Sequence, residues 1–364
     1  MSGIRAIPLA PTAATTIVWL YTHNAHAFLN QSFIYQPISF SLQRGLTALG
    51  FDARHRVVRS HGGSTARVDM LNVTRCGDAL IFVGEIAGYA DHVPWKELRR
   101  RGVRTILYNT EPRNVAKVDG VHSGCWWPPS ADIDEVWDYA LSNVIAAQRC
   151  NSGWLQDGTK HRHVPPGFSP PPLTARIARE VSVKAPILFG NARSRRIGCL
   201  QSLMAPPVGA IAIRNVWSDA ALADLLEHSV LFLNVHKDSA YGTVHGHQLA
   251  SKTCAQPTMP LEAVRVAQLL SAGGALIISE RANSVDEALY HGIIEFVPYE
   301  QLHVVLRRWL AAGVIAIRRA AMMARQRFRE RFMPADILRR SNATLRFTEP
   351  GERTTALRCV RHQQ

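Results

Sequence analysis

Five prolines fall within twelve residues in "HVPPGFSPPPLT" (163–174), and they constrain this chain more than any other feature. Proline has no amide hydrogen to donate and holds φ near −65°, so neither a helix interior nor a central strand can run through the segment. It predicts a proline-rich linker over 163–183 between a first unit, 1–170, and a second, 184–345. The length of 364 residues suits that division, because single cores stop growing beyond about 250–300 residues.

Each side of the linker repeats one pattern. In the first unit the apolar runs "TIVWLY" (16–21), "DALIFVG" (78–84), "RTILYNTEP" (104–112) and "EVWDYA" (135–140) read as strands. Between or after them, "FSLQRGLTALG" (40–50), "WKELRRRG" (95–102) and "SNVIAAQ" (142–148) carry helical spacing. In the second unit the strands are "APILFG" (185–190), "GAIAIRNVW" (209–217), "VLFLNVH" (230–236), "ALIIS" (275–279) and "IIEFV" (293–297). Helices are predicted at 195–204, 218–229 and 260–274, with a basic helix at 301–332. Continuous apolar strands separated by helices need a parallel sheet covered on both faces. The predicted fold class is α/β, with two Rossmann-like doubly wound domains facing a cleft.

The totals exclude several classes. No apolar run approaches the roughly 18–20 residues that cross a bilayer. The opening "MSGIRAIPLAPTAATT" has no signal-peptide core, so a cytoplasmic protein is expected. Cys76, Cys125, Cys150, Cys199, Cys254 and Cys359 form no Cys-x-x-Cys pair and match no zinc spacing, and reduced thiols are expected. The net charge of +14 attracts phosphates. Its arginines are spread along the chain, not gathered on one arm, so nucleic acid is not the expected partner. The basic segment 301–332 is the candidate for peripheral contact with an anionic membrane at its inner face.

Ligands of open parallel sheets bind beyond the carboxyl ends of the strands, and polar residues there are the candidates. After the first strand of the second unit come Gly190, Arg195 and Arg196. A glycine lets backbone approach a ligand, and guanidinium forks at a helix start suit a diphosphate; alternatively, the arginines are a solvated face. His236 and Lys237 end another strand, to meet a phosphate or sugar or merely to cap the strand. Glu262 opens a helix, where unpaired N–H groups stabilise a carboxylate that can accept from a vicinal diol; an ordinary helix-start glutamate is the competing reading. In the first unit His23 and Glu111 are the first candidates for a general base, ahead of His26 and Glu85. The pair Asp132 and Asp134 precedes a strand instead of following one and reads as a turn, so no metal is expected.

The run "VLFLNVH…MPLEAVRVAQLLSAGGALIIS" resembles the C-terminal domain of GT-B glycosyltransferases, and most nearly the spore-maturation (CgeB-like) group. "ILFGNARSRR" resembles that group's strand, glycine and arginine segment, and "HVPPGFSP" its interdomain segment. The likeness covers about 160–310, the earlier residues matching only in pattern. It implies a metal-independent glycosyltransferase with no cofactor beyond a nucleotide-sugar co-substrate, which the second domain binds, and an unidentified acceptor at the first. Glu262 would then take ribose hydroxyls, with Arg195 and Lys237 on the diphosphate. Cys254 stands where many retaining members carry a second glutamate, and "SERANS" (279–284) replaces their glycine-rich loop. The alternative is a non-catalytic module of the same fold that binds nucleic acid or another polyanion.

Overall fold

Two parallel sheets organise the chain. The computed structural model describes residues 16–24, 32–59, 63–84, 93–110, 117–118, 121–122, 132–149, 160–170, 185–189, 195–213, 219–236, 243–244, 247–248 and 260–341. The first half holds β1 (Ile17–Asn24), α1 (Ser32–Ala48), β2 (Asp52–Arg59), α2 (Gly63–Val73), β3 (Ala79–Gly84), α3 (Trp95–Arg100) and β4 (Arg104–Asn109). A small antiparallel pair, β5 (Lys117–Val118) and β6 (Val121–His122), precedes β7 (Glu135–Asp138), α4 (Leu141–Arg149) and β8 (Lys160–His163). The second half holds β9 (Ile187–Phe189), α5 (Arg195–Met204), β10 (Ile211–Ile213), α6 (Asp219–His228) and β11 (Leu231–Asn234). After a second small pair, β12 (Thr243–Val244) and β13 (His247–Gln248), come α7 (Ala263–Ala272), β14 (Leu276–Glu280), α8 (Ser284–Leu289) and β15 (Glu295–Val297). The long α9 (Leu302–Arg331) and α10 (Pro334–Arg340) follow.

The first sheet runs β2-β1-β3-β4-β7-β8 and the second β10-β9-β11-β14-β15. Numbered within its own half, each begins 2-1-3-4-5, a doubly wound order whose direction reverses between its first and third strands. The apolar runs became the central strands; every residue of β3 and of β4 is buried. Sequence reading overlooked β2, "DARHRVVR", and β8, "KHRH", which lie at the two edges of the first sheet. Edge strands face solvent on one side and tolerate charge there, so they lack the apolar signature.

Helices cover both faces of the second sheet. Leu200 and Leu203 of α5 pack with Leu302 and Leu306 of α9 on one face, while Leu226 of α6 and Val266 and Leu270 of α7 cover the other. That second layer is continuous with the first sheet through Ile38, Leu42 and Leu46 of α1. At the amino ends of the first sheet, fully buried Glu135 accepts from Arg104 at 2.7 Å, Arg162 at 2.9 Å and the Trp137 indole at 2.8 Å, tying three strands together.

The proline-rich stretch is ordered by its neighbours as far as residue 170. The Gly167 N–H donates to Ser41 Oγ at 2.7 Å, Phe168 N–H to the Phe332 carbonyl at 2.8 Å, and Ser169 N–H to Ser271 Oγ at 3.0 Å. A Cβ on Gly167 would stand 2.7 Å from Ser41 Oγ and 2.9 Å from the Phe332 carbonyl oxygen, so only glycine fits between α1 and the end of α9. Gly313, at φ 82°, interrupts α9 and starts a second helical stretch. One expectation is corrected here: Cys76 and Cys199 are each disulfide-bonded. Disulfides need Cα atoms within about 7 Å, a proximity that spacing along a chain does not reveal.

Candidate functional site

In the second sheet β9 leads through α5 to β10 on one side, and β11 leads through α7 to β14 on the other. Both helices therefore begin at the carboxyl edge of the sheet, on opposite faces of it, flanking the point between β9 and β11 where the winding reverses. Such switch points are where doubly wound sheets bind ligands.

The polar residues of that edge are joined to one another. Asn234 ends β11 and donates to Ser279 Oγ on β14 at 3.0 Å. Arg265, one turn into α7, reaches Asn234 Oδ1 at 3.4 Å and forms an ion pair with Glu262, the residue that opens the helix. About a fifth of each side chain of the pair remains exposed, 18% for Arg265 and 23% for Glu262, so an incoming ligand can reach both. Glu262 and Arg265 offer a carboxylate acceptor and a guanidinium donor on one small patch, with the Asn234 amide buried beneath them. Geometry of this kind suits a ligand carrying both hydroxyls and negative charge.

A buried layer fixes the patch from below. Glu280 is 2% exposed, and its Oε1 accepts the His236 N–H at 2.5 Å, clamping the chain just beyond β11 to the end of β14. Asp286 Oδ2 accepts from Leu261 N–H at 3.0 Å, Asn283 Nδ2 at 2.7 Å and Ser142 Oγ at 3.3 Å. It thus ties the residue before Glu262 to α4 of the first half. Burial pushes the Asp286 carboxyl above its usual range, against the pull of those three donors.

The first sheet presents a different edge. Asp138, at the end of β7, is fully buried and accepts from Asn109 Nδ2 at 2.8 Å, Asn143 Nδ2 at 2.9 Å and the Ala140 N–H at 3.0 Å. His161 Nε2 lies 3.4 Å from the same carboxylate. At the end of β8, burial pulls His163 down to about 4, so its imidazole is neutral near pH 7.

Of the residues expected from sequence, Glu262 and His236 share the carboxyl edge of the second sheet, with the His236 ring buried at 1% exposure. Arg195 and Arg196 are the first two residues of α5, at that same edge; only their backbone is described. His23 is the penultimate residue of β1, again with only its backbone described. Gly190, Lys237, Glu111, His26 and Glu85 lie outside the described residues. Asp134 faces the other way: at the amino edge, its Oδ2 accepts from the Thr105 N–H at 2.8 Å. Among the described residues no group of three His, Cys, Asp or Glu could hold a metal ion. Sequence reading gave Asn234, Arg265, Ser279, Glu280 and Asp286 no role at the edge. Arg265 carried a legible signal, since it lies three residues after Glu262 on a helix; Asn234, Ser279 and Glu280 come together only through strand pairing, and Asp286 only through the packing of α8.

Comparison with known proteins adds little. No family model and no curated protein matches the chain. Among solved structures it is similar to one titled "OtsA apo structure", at a TM-score of 0.41 and 10% identity over 90% of this chain and 98% of that one. So low a likeness carries no argument about the site.

Proposed function

We propose that the protein is a glycosyltransferase that binds a nucleotide-sugar donor at the carboxyl edge of the second sheet and passes the sugar to an acceptor at the first. The observation that carries this reading is the half-open Glu262–Arg265 pair beside the switch point, resting on buried Asn234 and braced by buried Glu280 and Asp286. The resemblance of residues 160–310 to the CgeB-like group supplies the sugar-transfer chemistry.

In this reading the Glu262 carboxylate accepts from the ribose diol, and Arg265 holds it in place. Arg195 at the start of α5, with Arg196 and Lys237, holds the diphosphate. Charge that develops on the leaving diphosphate is stabilised by these cations and by helix N-termini, without a metal. On the acceptor side, His23 or Glu111 removes the hydroxyl proton.

A panel of nucleoside diphosphates, screened by thermal shift and then calorimetry, tests the proposal. Glu262→Ala and Arg195→Ala should each weaken binding of the preferred nucleotide by about tenfold, which is about 1.4 kcal/mol. Unchanged binding in both variants would remove the donor site. A second reading, polyanion binding without catalysis, draws on the net charge of +14. It requires affinity to collapse as salt rises, because counterion release drives such binding.

A further inference from the structure

The outward face of α9 beyond Gly313 carries large aliphatic side chains where a folded protein gains nothing from them. Ile315 is 75% exposed, Met322 71% and Met323 47%. Ile317, Ala321, Ala324 and Phe328, on the opposite side of the same helix, are buried against the core. Residues 315, 319 and 322 follow one another at helical spacing, roughly half a turn from that buried stripe. The exposed aliphatics are therefore not strays from the core face; they form a second stripe of their own.

Arginine is interleaved with it. Arg319 lies between Ile315 and Met322 on the stripe, with Arg318 beside it. Between 302 and 340 the only acids are Glu330 and Asp336, against ten arginines. Several of these are committed to the fold: Arg327 donates to the Gly292 carbonyl, Arg331 to the Leu289 and His291 carbonyls, and Arg308 pairs with Glu295. Arg307, Arg319 and Arg329 form no ion pair among the described residues. Further exposed apolar side chains stand near the ends of the same element, Val304 at 50% and Met333 at 41%. Five of the nine large exposed hydrophobics among the described residues thus fall between 304 and 333.

We infer that this face of α9 rests on an anionic lipid surface. Ile315, Met322 and Met323 enter the boundary between headgroups and acyl chains, while Arg318 and Arg319 meet lipid phosphates. Apolar and cationic side chains on one stripe match what an interfacial helix needs. Nucleic acid would reward arginine but not aliphatic side chains, and the stripe offers no aromatic ring for stacking on bases. The helix lies on the membrane and does not cross it, since no helix of the described residues is long and apolar enough to do so. The inference is independent of the nucleotide-sugar reading.

Flotation of the full chain with vesicles of phosphatidylcholine alone, or with about a third phosphatidylglycerol, is the test. Wild-type protein should float with the anionic vesicles only. The double variant Ile315→Ser, Met322→Ser should lose about tenfold or more of that binding, and Arg319→Gln should lose less, with a shallower dependence on salt. All three substituted positions are on the outward face, so melting temperatures should stay at the wild-type value and show that the fold is intact. Absence of flotation in the wild type, or equal flotation of the double variant, overturns the inference. So does a concentration-dependent dimer that the same substitutions abolish, because the face would then be a contact between copies.

Discussion

The two sheets share a strand order yet present opposite kinds of carboxyl edge. In the first, Asp138 is fully buried and saturated by Asn109, Asn143 and the Ala140 peptide. In the second, Glu262 and Arg265 keep part of their side chains in solvent. A saturated buried carboxylate has no valence left for a ligand and contributes through the stability of the fold. A half-open ion pair contributes little to stability, about 0–1 kcal/mol, and is free to exchange partners. The same topology therefore places a carboxylate that holds the molecule together at the end of β7 and one suited to binding at the start of α7.

Substitution at the first edge should produce the largest effect. Asp138→Ala leaves several buried donors without an acceptor, and should cost about 3–5 kcal/mol in chemical denaturation. A loss below about 1 kcal/mol would mean that this edge is as adaptable as the other. Next is pH. His163 titrates at about 4 in the folded protein, and near 6.5 in an unfolded chain. Between those values the unfolded chain binds the extra proton, so His163 contributes stability above about pH 6.5 that is lost as pH falls toward 4, by up to about 3 kcal/mol. Asp286, shifted upward, acts in the opposite sense. Replacing His163 by Gln should flatten the acid limb of stability against pH; an unchanged limb would assign it to other groups.

At the joint between the halves, Gly167→Ala should cost about 1–3 kcal/mol by forcing a methyl against the Phe332 carbonyl. Calorimetric melting would show whether the halves then unfold separately. The smallest stability effect belongs to the second edge: Arg265→Ala should change unfolding free energy by less than about 1 kcal/mol while weakening nucleotide binding about tenfold. Should that variant lose stability and keep affinity, the contrast between the two edges would be reversed.

How much was legible from sequence differs between core and edge. The central strands were visible because burial on both faces demands unbroken apolar runs, as in "DALIFVG" and "ALIIS". Charged β2 and β8 were not, because an edge strand is selected by pairing on one side only. Glu262 could be singled out by its place at a helix start, and Arg265 was within reach by spacing. Glu280 and Asp286 could not be assigned, since each acts on a backbone N–H dozens of residues away or brought near only by the sheet.

By itself the sequence determined that this chain alternates strand and helix in two halves, because hydrophobic periodicity is a local property that water enforces on every segment separately. Only the tertiary structure decided that the proline-rich stretch is packed against α1, α7 and α9 as far as residue 170, that Cys76 and Cys199 each enter a disulfide, and that Asp138 is sealed while the Glu262–Arg265 pair stays half-open. Those outcomes depend on which distant groups arrive within hydrogen-bonding distance, and that is settled by how the layers stack.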